Sequence, residues 1–394
     1  MNKATTLETP FLPNTLKKPI RFIQPTLPNL SDVVALFREV YSSGLITNAA
    51  MVERFEDAVR EYTGAKHCVA VSSCTSGLML TMKALGLQGE AVLPSFTFFA
   101  TGEAVLWNRL RPVFADCDLE TWNLSPADVE RRLSSRTAAI IGVHMYGNPC
   151  DIDELTRIAS RSGTKLIFDA AHGFGSRYQG RALGSHGDAE VFSLSPTKLL
   201  VAGEGGLVTT NDALLARRLR LARNYGDGGA YDPELLGLNA RMPEFNAALG
   251  LQGLSILESK ARRHQGIADL YTSLLEDLPG IRFQTVAPYN RSTYKDFSIH
   301  VADPGSHPLG AALGSTLAAR GIPTKRYFYP PLHQQKLFRG MHTEGDAPLP
   351  VTEFVSSGIV SLPIYASLAD QTVETIANAV RETISAWNVR EVRQ

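Results

Sequence analysis

Two side chains have types and spacing that could carry chemistry together. Asp169 ends the short apolar run Leu166-Ile167-Phe168, and Lys198 stands 29 residues further on, just past a second run, Glu190-Val191-Phe192. Runs this short, bounded by polar residues, read as buried strands. A carboxylate is thus placed at one strand tip and an amine just beyond the next. A lysine amine condenses with an aldehyde, and a buried carboxylate keeps a pyridine nitrogen protonated so that its ring can accept electrons. That pairing suits pyridoxal 5'-phosphate.

A third feature lies upstream. The strand pattern His67–Val71 runs directly into Ser72-Ser73-Cys74-Thr75, followed by a helix with Leu78, Met82 and Leu85 on one face. A small polar turn of this kind leaves the first amides of the helix unpaired and adds hydroxyl donors, which makes a cradle for phosphate. These groups need a frame. Further strand patterns occur at Ala91–Leu93, Arg111–Asp116, Ala138–Gly147 and Leu207–Thr210, with helical segments between them such as Asp151–Ala159. Apolar runs without alternation, separated by helices, predict a parallel sheet covered on both faces. Amphipathic helices are predicted over Leu30–Val40, Val52–Tyr62 and Asp212–Arg223, and one long helix over Leu251–Leu274.

Several of these stretches resemble the DegT-like (DegT/StrS) sugar aminotransferases, a group of fold-type I pyridoxal-phosphate enzymes. The matching motifs are Asp169-Ala170-Ala171-His172, Phe192-Ser193 through Lys198, Gly203-Glu204-Gly205-Gly206, the aromatic segment Pro94–Thr101, Val143-His144-Met145-Tyr146-Gly147 and Gly237–Met242. The resemblance runs from about residue 25 to 385. It implies an α/β, aspartate-aminotransferase-like fold with a large, mostly parallel sheet domain and a smaller C-terminal α+β domain. It also implies a role for particular residues. Lys198 carries the cofactor and shuttles the proton, Asp169 holds the ring nitrogen, and Phe98 lies against the ring face. Cys74, Thr75, His172 and Ser193 are further cofactor contacts. Asn239 reaches the phosphate in the neighbouring subunit of a homodimer, and Tyr329 and His333 are candidate substrate contacts. Cys74 departs from the family, which has Gly there, and so puts in doubt any turn that needs a positive φ at that position.

Composition narrows the partners. Lys+Arg and Asp+Glu balance at 39 each, which argues against an electrostatic surface for nucleic acid or membrane. The basic run Arg217-Arg218-Leu219-Arg220 falls in a helical pattern and reads as a solvated face. The cysteines Cys68, Cys74, Cys117 and Cys150 lack the spacing of a zinc site or a disulfide framework, so no metal is expected. Without a signal-peptide pattern or a membrane span, a cytoplasmic protein is the default. The expected organisation is an extended arm over 1–24, a cofactor-binding domain over 25–264 and a small domain over 265–394.

The leading expectation is therefore a transaminase of amino-sugar biosynthesis, in polysaccharide or antibiotic pathways. Its donor by family resemblance is glutamate and its acceptor a nucleotide-linked keto sugar. The alternatives are a keto cyclitol as acceptor, or a non-catalytic sugar- or cofactor-binding sensor on the same fold. A sugar dehydratase of this fold has histidine in place of the lysine, and Lys198 counts against it.

Overall fold

Buried apolar runs build the frame of the computed structural model, which describes residues 19–303, 305, 307–342 and 346–391. The strands β1 (His67–Val71), β2 (Glu90–Pro94), β3 (Arg111–Ala115), β4 (Thr137–Val143) and β5 (Lys165–Asp169) are followed by a small hairpin, β6 (Arg177–Tyr178) and β7 (Arg181–Ala182). Then come β8 (Ala189–Ser193) and β9 (Gly206–Thr210). All but the hairpin form one seven-stranded sheet in the order β1-β9-β8-β5-β4-β2-β3. Successive residues of β1 serve opposite faces: Cys68 and Ala70 enter one core, Val69 and Val71 the other.

Helices α1 (Leu30–Ser43) and α2 (Ala50–Thr63) precede the sheet. The crossover helices α3 (Cys74–Ala84), α4 (Phe99–Trp107), α5 (Pro126–Arg132) and α6 (Ile152–Ser162) follow β1 to β4 in turn. In α6 the reasons are plain in the sequence. Asp151 caps the start by accepting from the Glu154 amide, Ile152, Leu155 and Ile158 bury one stripe, and Gly163 in the left-handed region ends it. In α7 (Ala213–Ala222), Leu215, Ala216 and Leu219 face inward while Arg217, Arg218 and Arg220 are exposed, as the basic run predicts.

One strand departs from the expected parallel sheet. β9 runs antiparallel to both of its neighbours, β1 and β8. Between β8 and β9 there is no helix to carry the chain across, so it doubles back as antiparallel neighbours do. That connection holds Lys198.

Past the sheet, the single helix predicted over Leu251–Leu274 is two, α8 (Glu244–Ser255) and α9 (Leu257–Leu275), separated at Ile256 (φ −105°, ψ 0°). The Glu244 carboxylate accepts from the Ala49, Met51 and Val52 amides at 2.7–3.0 Å, which fixes α8 against the start of α2. α9 helps enclose a second core. There Tyr271, Leu275, Leu317, Ile376 and Val380 pack with a three-stranded antiparallel sheet, β10 (Ile281–Phe283), β11 (Phe297–Val301) and β12 (Ile359–Leu362). Helices α10 (Gly310–Ala319), α11 (Pro350–Gly358) and α12 (Asp370–Glu391) complete this part.

We propose that the domain boundary falls within α9, where the sequence places it at 264/265. The chain beyond it is not confined to the second core, because Leu332, Phe338 and Leu349 return to the first. Of the arm expected over 1–24, residues 1–18 lie outside the described residues, and 19–24 form neither helix nor strand.

Candidate active site

Six of the seven strands of the large sheet point the same way, so the segments that leave their carboxyl ends gather on one edge, the usual place for a site in such a sheet. From this edge come Ser73–Thr75 after β1, Thr97–Thr101 after β2, Asp169–His172 at β5 and Ser193–Lys198 at β8. They enclose a cavity of about 340 Å³, lined among others by Ser73, Cys74, Thr75, Phe98, Asp169, His172, Ser193 and Lys198. Seven of the ten residues that the sequence singled out, Thr75 among them, thus meet in one place.

Asp169 is buried, and its carboxylate is held from two sides. Oδ2 accepts from Thr101 Oγ1 at 2.7 Å and Oδ1 from the Ala171 amide at 3.1 Å. Thr101 Oγ1 is in turn 3.0 Å from Thr97 Oγ1, so a short hydroxyl chain fixes the carboxylate's plane. Among the described residues no cation lies within ion-pair distance of it. Burial therefore pushes its carboxyl above the usual carboxylate range, against the opposing pull of the Thr101 bond. A carboxylate placed this way calls for a positive partner from outside the chain.

Lys198 stands in the β8–β9 connection, whose neck is closed by the Leu194 amide on Gly205 O and the Ala202 amide on Leu194 O. Its own amide donates to Ser195 O at 3.0 Å. Part of its side chain stays accessible through the cavity. The protein packed around the amine disfavours its charge, and with the nearby Lys295 brings it down to about 8. A lysine poised there is neutral in a useful fraction near neutral pH, as a nucleophile and proton carrier must be.

The turn that the sequence offers as a phosphate cradle has a clear local cause. Ser73 caps α3, accepting from the Ser76 amide while Ser76 Oγ accepts from the Ser73 amide, a reciprocal box that leaves the Cys74 and Thr75 amides at the mouth of the helix. The helix begins at Cys74, and its cap Ser73 is extended (φ −165°), so no left-handed residue is needed and Cys74 fits where the family has Gly. Its thiol instead lies over Val191 O at 3.6 Å. The turn sits hard against β9. A Cβ on Gly206 would come within 2.5 Å of Ser73 C and 2.6 Å of Cys74 N. Gly206→Ala must move backbone, and is expected to cost about 1–3 kcal/mol in denaturant unfolding and to weaken phosphate retention. Unchanged stability would mean that the turn is not held by this contact.

The rest of the wall is aromatic. Phe98 is 43% exposed, its ring 3.9 Å from that of Phe99 and 5.9 Å from that of Phe328. His172 stacks on Phe328 (16° between planes) and on Tyr146 (10°), and its Nδ1 accepts from the Tyr146 amide at 3.3 Å. Burial holds its imidazole well below the usual range, so it is a neutral ring with its acceptor turned to the backbone. A glutamine carbonyl could accept the same amide. His172→Gln is expected to retain turnover within about tenfold, and a total loss in a steady-state assay would assign the ring a proton-transfer role.

Three of the ten residues lie elsewhere. Tyr329 is half exposed, with the Arg326 guanidinium 3.8 Å over its ring, outside the cavity lining. His333 is buried with both ring nitrogens engaged, Nδ1 with Ser95 Oγ at 2.7 Å and Nε2 with Glu353 at 3.1 Å, so it staples its segment to the end of β2. Asn239 is exposed, bridged to Asn224 and away from the cavity of its own chain. From that C-terminal segment it is Tyr327 and Phe328 that reach the cavity.

Two members escaped the sequence reading. Thr101 was visible within its motif, but only the fold shows its hydroxyl on Asp169. Lys295 lines the cavity from the small domain. Its signal was an adjacent pair of opposite charges, Lys295-Asp296, directly before the wholly buried strand β11.

Taken together, a cationless buried carboxylate, a neutralised lysine and a helix-start cradle fit a phosphorylated pyridine aldehyde. The comparisons with known proteins agree. The model of a family described as DegT/DnrJ/EryC1/StrS aminotransferases matches residues 30–381. The chain is 30% identical over 363 residues to a dTDP-4-amino-4,6-dideoxy-D-glucose transaminase of Escherichia coli, covering 91% of this chain and 97% of that protein. It is 34% identical over 352 residues to a dTDP-3-amino-3,6-dideoxy-alpha-D-galactopyranose transaminase of Aneurinibacillus thermoaerophilus, covering 89% and 94%. Among solved structures, DesI in the presence of its TDP-sugar product superposes with a TM-score of 0.90 at 34% identity, over 97% of each chain.

Proposed function

Because the chain belongs to the DegT/DnrJ/EryC1/StrS aminotransferase family, we propose that it moves an amino group from glutamate to a nucleotide-linked keto sugar in amino-sugar biosynthesis. The protein is an aminotransferase of fold type I. The observation that carries a catalytic reading over a binding one is the pair in the cavity, Asp169 buried without a cation partner and Lys198 brought down to about 8. A mere sugar sensor has no use for either.

Pyridoxal phosphate, when bound, supplies an aldehyde for the amine and a ring that takes up the electrons released at the substrate carbon. The chain's own residues do the rest. The Cys74 and Thr75 amides at the start of α3, with the Thr75 and Ser193 hydroxyls, would hold the phosphate. Asp169, oriented by Thr101 and the Ala171 amide, keeps the ring nitrogen protonated. Phe98, which lines the cavity, would cover one face of the ring. Lys198 would take a proton from one carbon as a neutral amine and return it to the other from the ammonium so formed. The aromatic wall of Phe98, Tyr327 and Phe328 excludes water and offers flat surface to a sugar or base.

The reading is tested by incubating the loaded protein with glutamate and a panel of keto sugars, with and without a nucleotide, and keto cyclitols. An amine product by mass from a nucleotide-linked member alone supports it. Product from a cyclitol alone, or from none, overturns the substrate assignment. Among the described residues no helix is long and apolar enough to cross a membrane, and we place the reaction in the cytoplasm.

Asn239, exposed and turned from its own cavity, is assigned to the phosphate of a neighbouring subunit, which makes the working unit a two-fold dimer with two shared sites. Mixing Lys198→Ala with an inactive Asn239→Trp should restore part of the activity, because one site of each mixed dimer then carries neither defect. If mass analysis shows that subunits exchange and activity stays absent, Asn239 serves its own chain.

A further inference from the structure

The cavity contains a second lysine that the reaction as described does not use. Lys295 is 5% exposed and Asp296 2% exposed. Lys295 Nζ lies 2.8 and 2.9 Å from the two oxygens of Asp296 and 5.1 Å from the centre of the Tyr327 ring. Its backbone amide donates to Tyr146 O at 2.9 Å, which ties this point of the small domain to the end of β4. Two of the three ammonium donors are used by Asp296 and another side faces an aromatic ring, so little is left with which to grip a substrate anion. A buried ion pair is a costly way to fill space, and an apolar pair of similar volume would commonly serve stability as well or better. What sets this pair apart is its place, with Lys295 lining the same cavity as Lys198.

Resting on the role of Lys198 proposed above, we propose that Lys295, anchored by Asp296, is a positioning residue of the amino transfer: its fixed positive charge keeps the resting Lys198 amine free of a proton, ready to take one from the substrate. The direction of the electrostatics agrees. After burial itself, Lys295 is the largest influence lowering Lys198, whereas Asp296, Cys74 and Asp169 act the other way. The other titratable groups about the pair do not compete for this part. His172 is held neutral by its burial and by both lysines. His264 is lowered to about 4 by its burial. Tyr146 and Tyr327 are pushed up by theirs.

Two full-length variants test the proposal with opposite expected signs. In protein loaded with pyridoxal phosphate, the pH at which the visible absorbance changes reports the proton on the Lys198 nitrogen. In protein stripped of it, the pH dependence of Lys198 acetylation by acetic anhydride, read by peptide mass mapping, reports the free amine. Lys295→Met should raise both midpoints by about one pH unit, because a positive neighbour is gone and Asp296 remains. Asp296→Asn should lower them, because the positive charge is no longer offset. The double variant should move less than Lys295→Met. A merely structural pair would loosen the wall in either variant and admit water, moving both midpoints up. Shifts of the same sign, or no shift, would overturn the proposal. A wild type with no visible band counts against the cofactor reading alone, and the acetylation series still decides the part played by Lys295.

Discussion

Lys198→Ala is expected to lower amino transfer by more than about 10⁴-fold, since one residue supplies both the covalent attachment and the proton carrier. The fold should survive. The side chain stands in the β8–β9 connection, not on a core face, and its amine is one whose charge the folded state disfavours. The sign of the pH dependence follows from that. Unfolded, the amine titrates near 10.5, and folded near about 8. Between those values the unfolded chain binds more protons, so stability rises with pH. Below about 8 the folded protein carries a charge it would rather not hold. In protein stripped of pyridoxal phosphate, the alanine variant should melt at or above the wild-type temperature at pH 7. The wild type should gain on it as pH rises from about 8 towards 10.5. Scanning calorimetry across this range checks the claim, and a variant that is much less stable at pH 7 would show that the amine is a structural partner.

Asp169→Asn should cost roughly 10²- to 10³-fold or more, by analogy with the removal of one pre-organised charge contact from a reaction site. The amide has the carboxylate's shape, and its one oxygen can accept from the Ala171 amide while its NH2 donates to Thr101 Oγ1, but it cannot hold a ring nitrogen protonated. The unloaded protein should respond in the opposite sense. Burial raises the Asp169 carboxyl above its ordinary 3.8, so the folded state prefers it protonated. Stability is then lost as pH rises from the unfolded value through the folded one. Without the cofactor the asparagine variant should be as stable as the wild type or more so at neutral pH, with the gap closing in acid. With it, the wild type should gain the larger rise in melting temperature, because only its carboxylate finds a cationic partner. Equal gains on loading, together with near wild-type turnover, would remove Asp169 from the ring-nitrogen role.

Much of this arrangement was legible in the chain. Each of β1, β5, β8 and β9 is an apolar run of strand length bounded by polar residues, and parallel pairing places the tips of β5 and β8 side by side. Asp169 and the approach to Lys198 could therefore be read from local pattern alone. The reversal of β9 could not, because an apolar run carries no direction. That depends on the missing helix between Ser193 and Gly206. Nor could the break at Ile256 be read, since the apolar spacing continues through it. His333 and Tyr329 show the limit of segment resemblance. The stretch as a whole does approach the site, but the side chains that enter the cavity are Tyr327 and Phe328, while the ring of His333 is taken up by Ser95 and Glu353. Lys295 was hidden for another reason. A charge pair beside a strand is ordinary at a surface, and only tertiary packing shows that this one is buried against the reaction cavity.

The central claim is that Lys198 is the residue that bonds the cofactor. Reduction of the loaded protein with borohydride, followed by proteolysis and mass mapping, tests it without recourse to any substrate. The expected result is a single pyridoxyl-phosphate adduct on the peptide containing Ser195-Pro196-Thr197-Lys198, absent from Lys198→Ala. An adduct on Lys295 or on any other lysine, with Lys198 unmodified, would contradict the account.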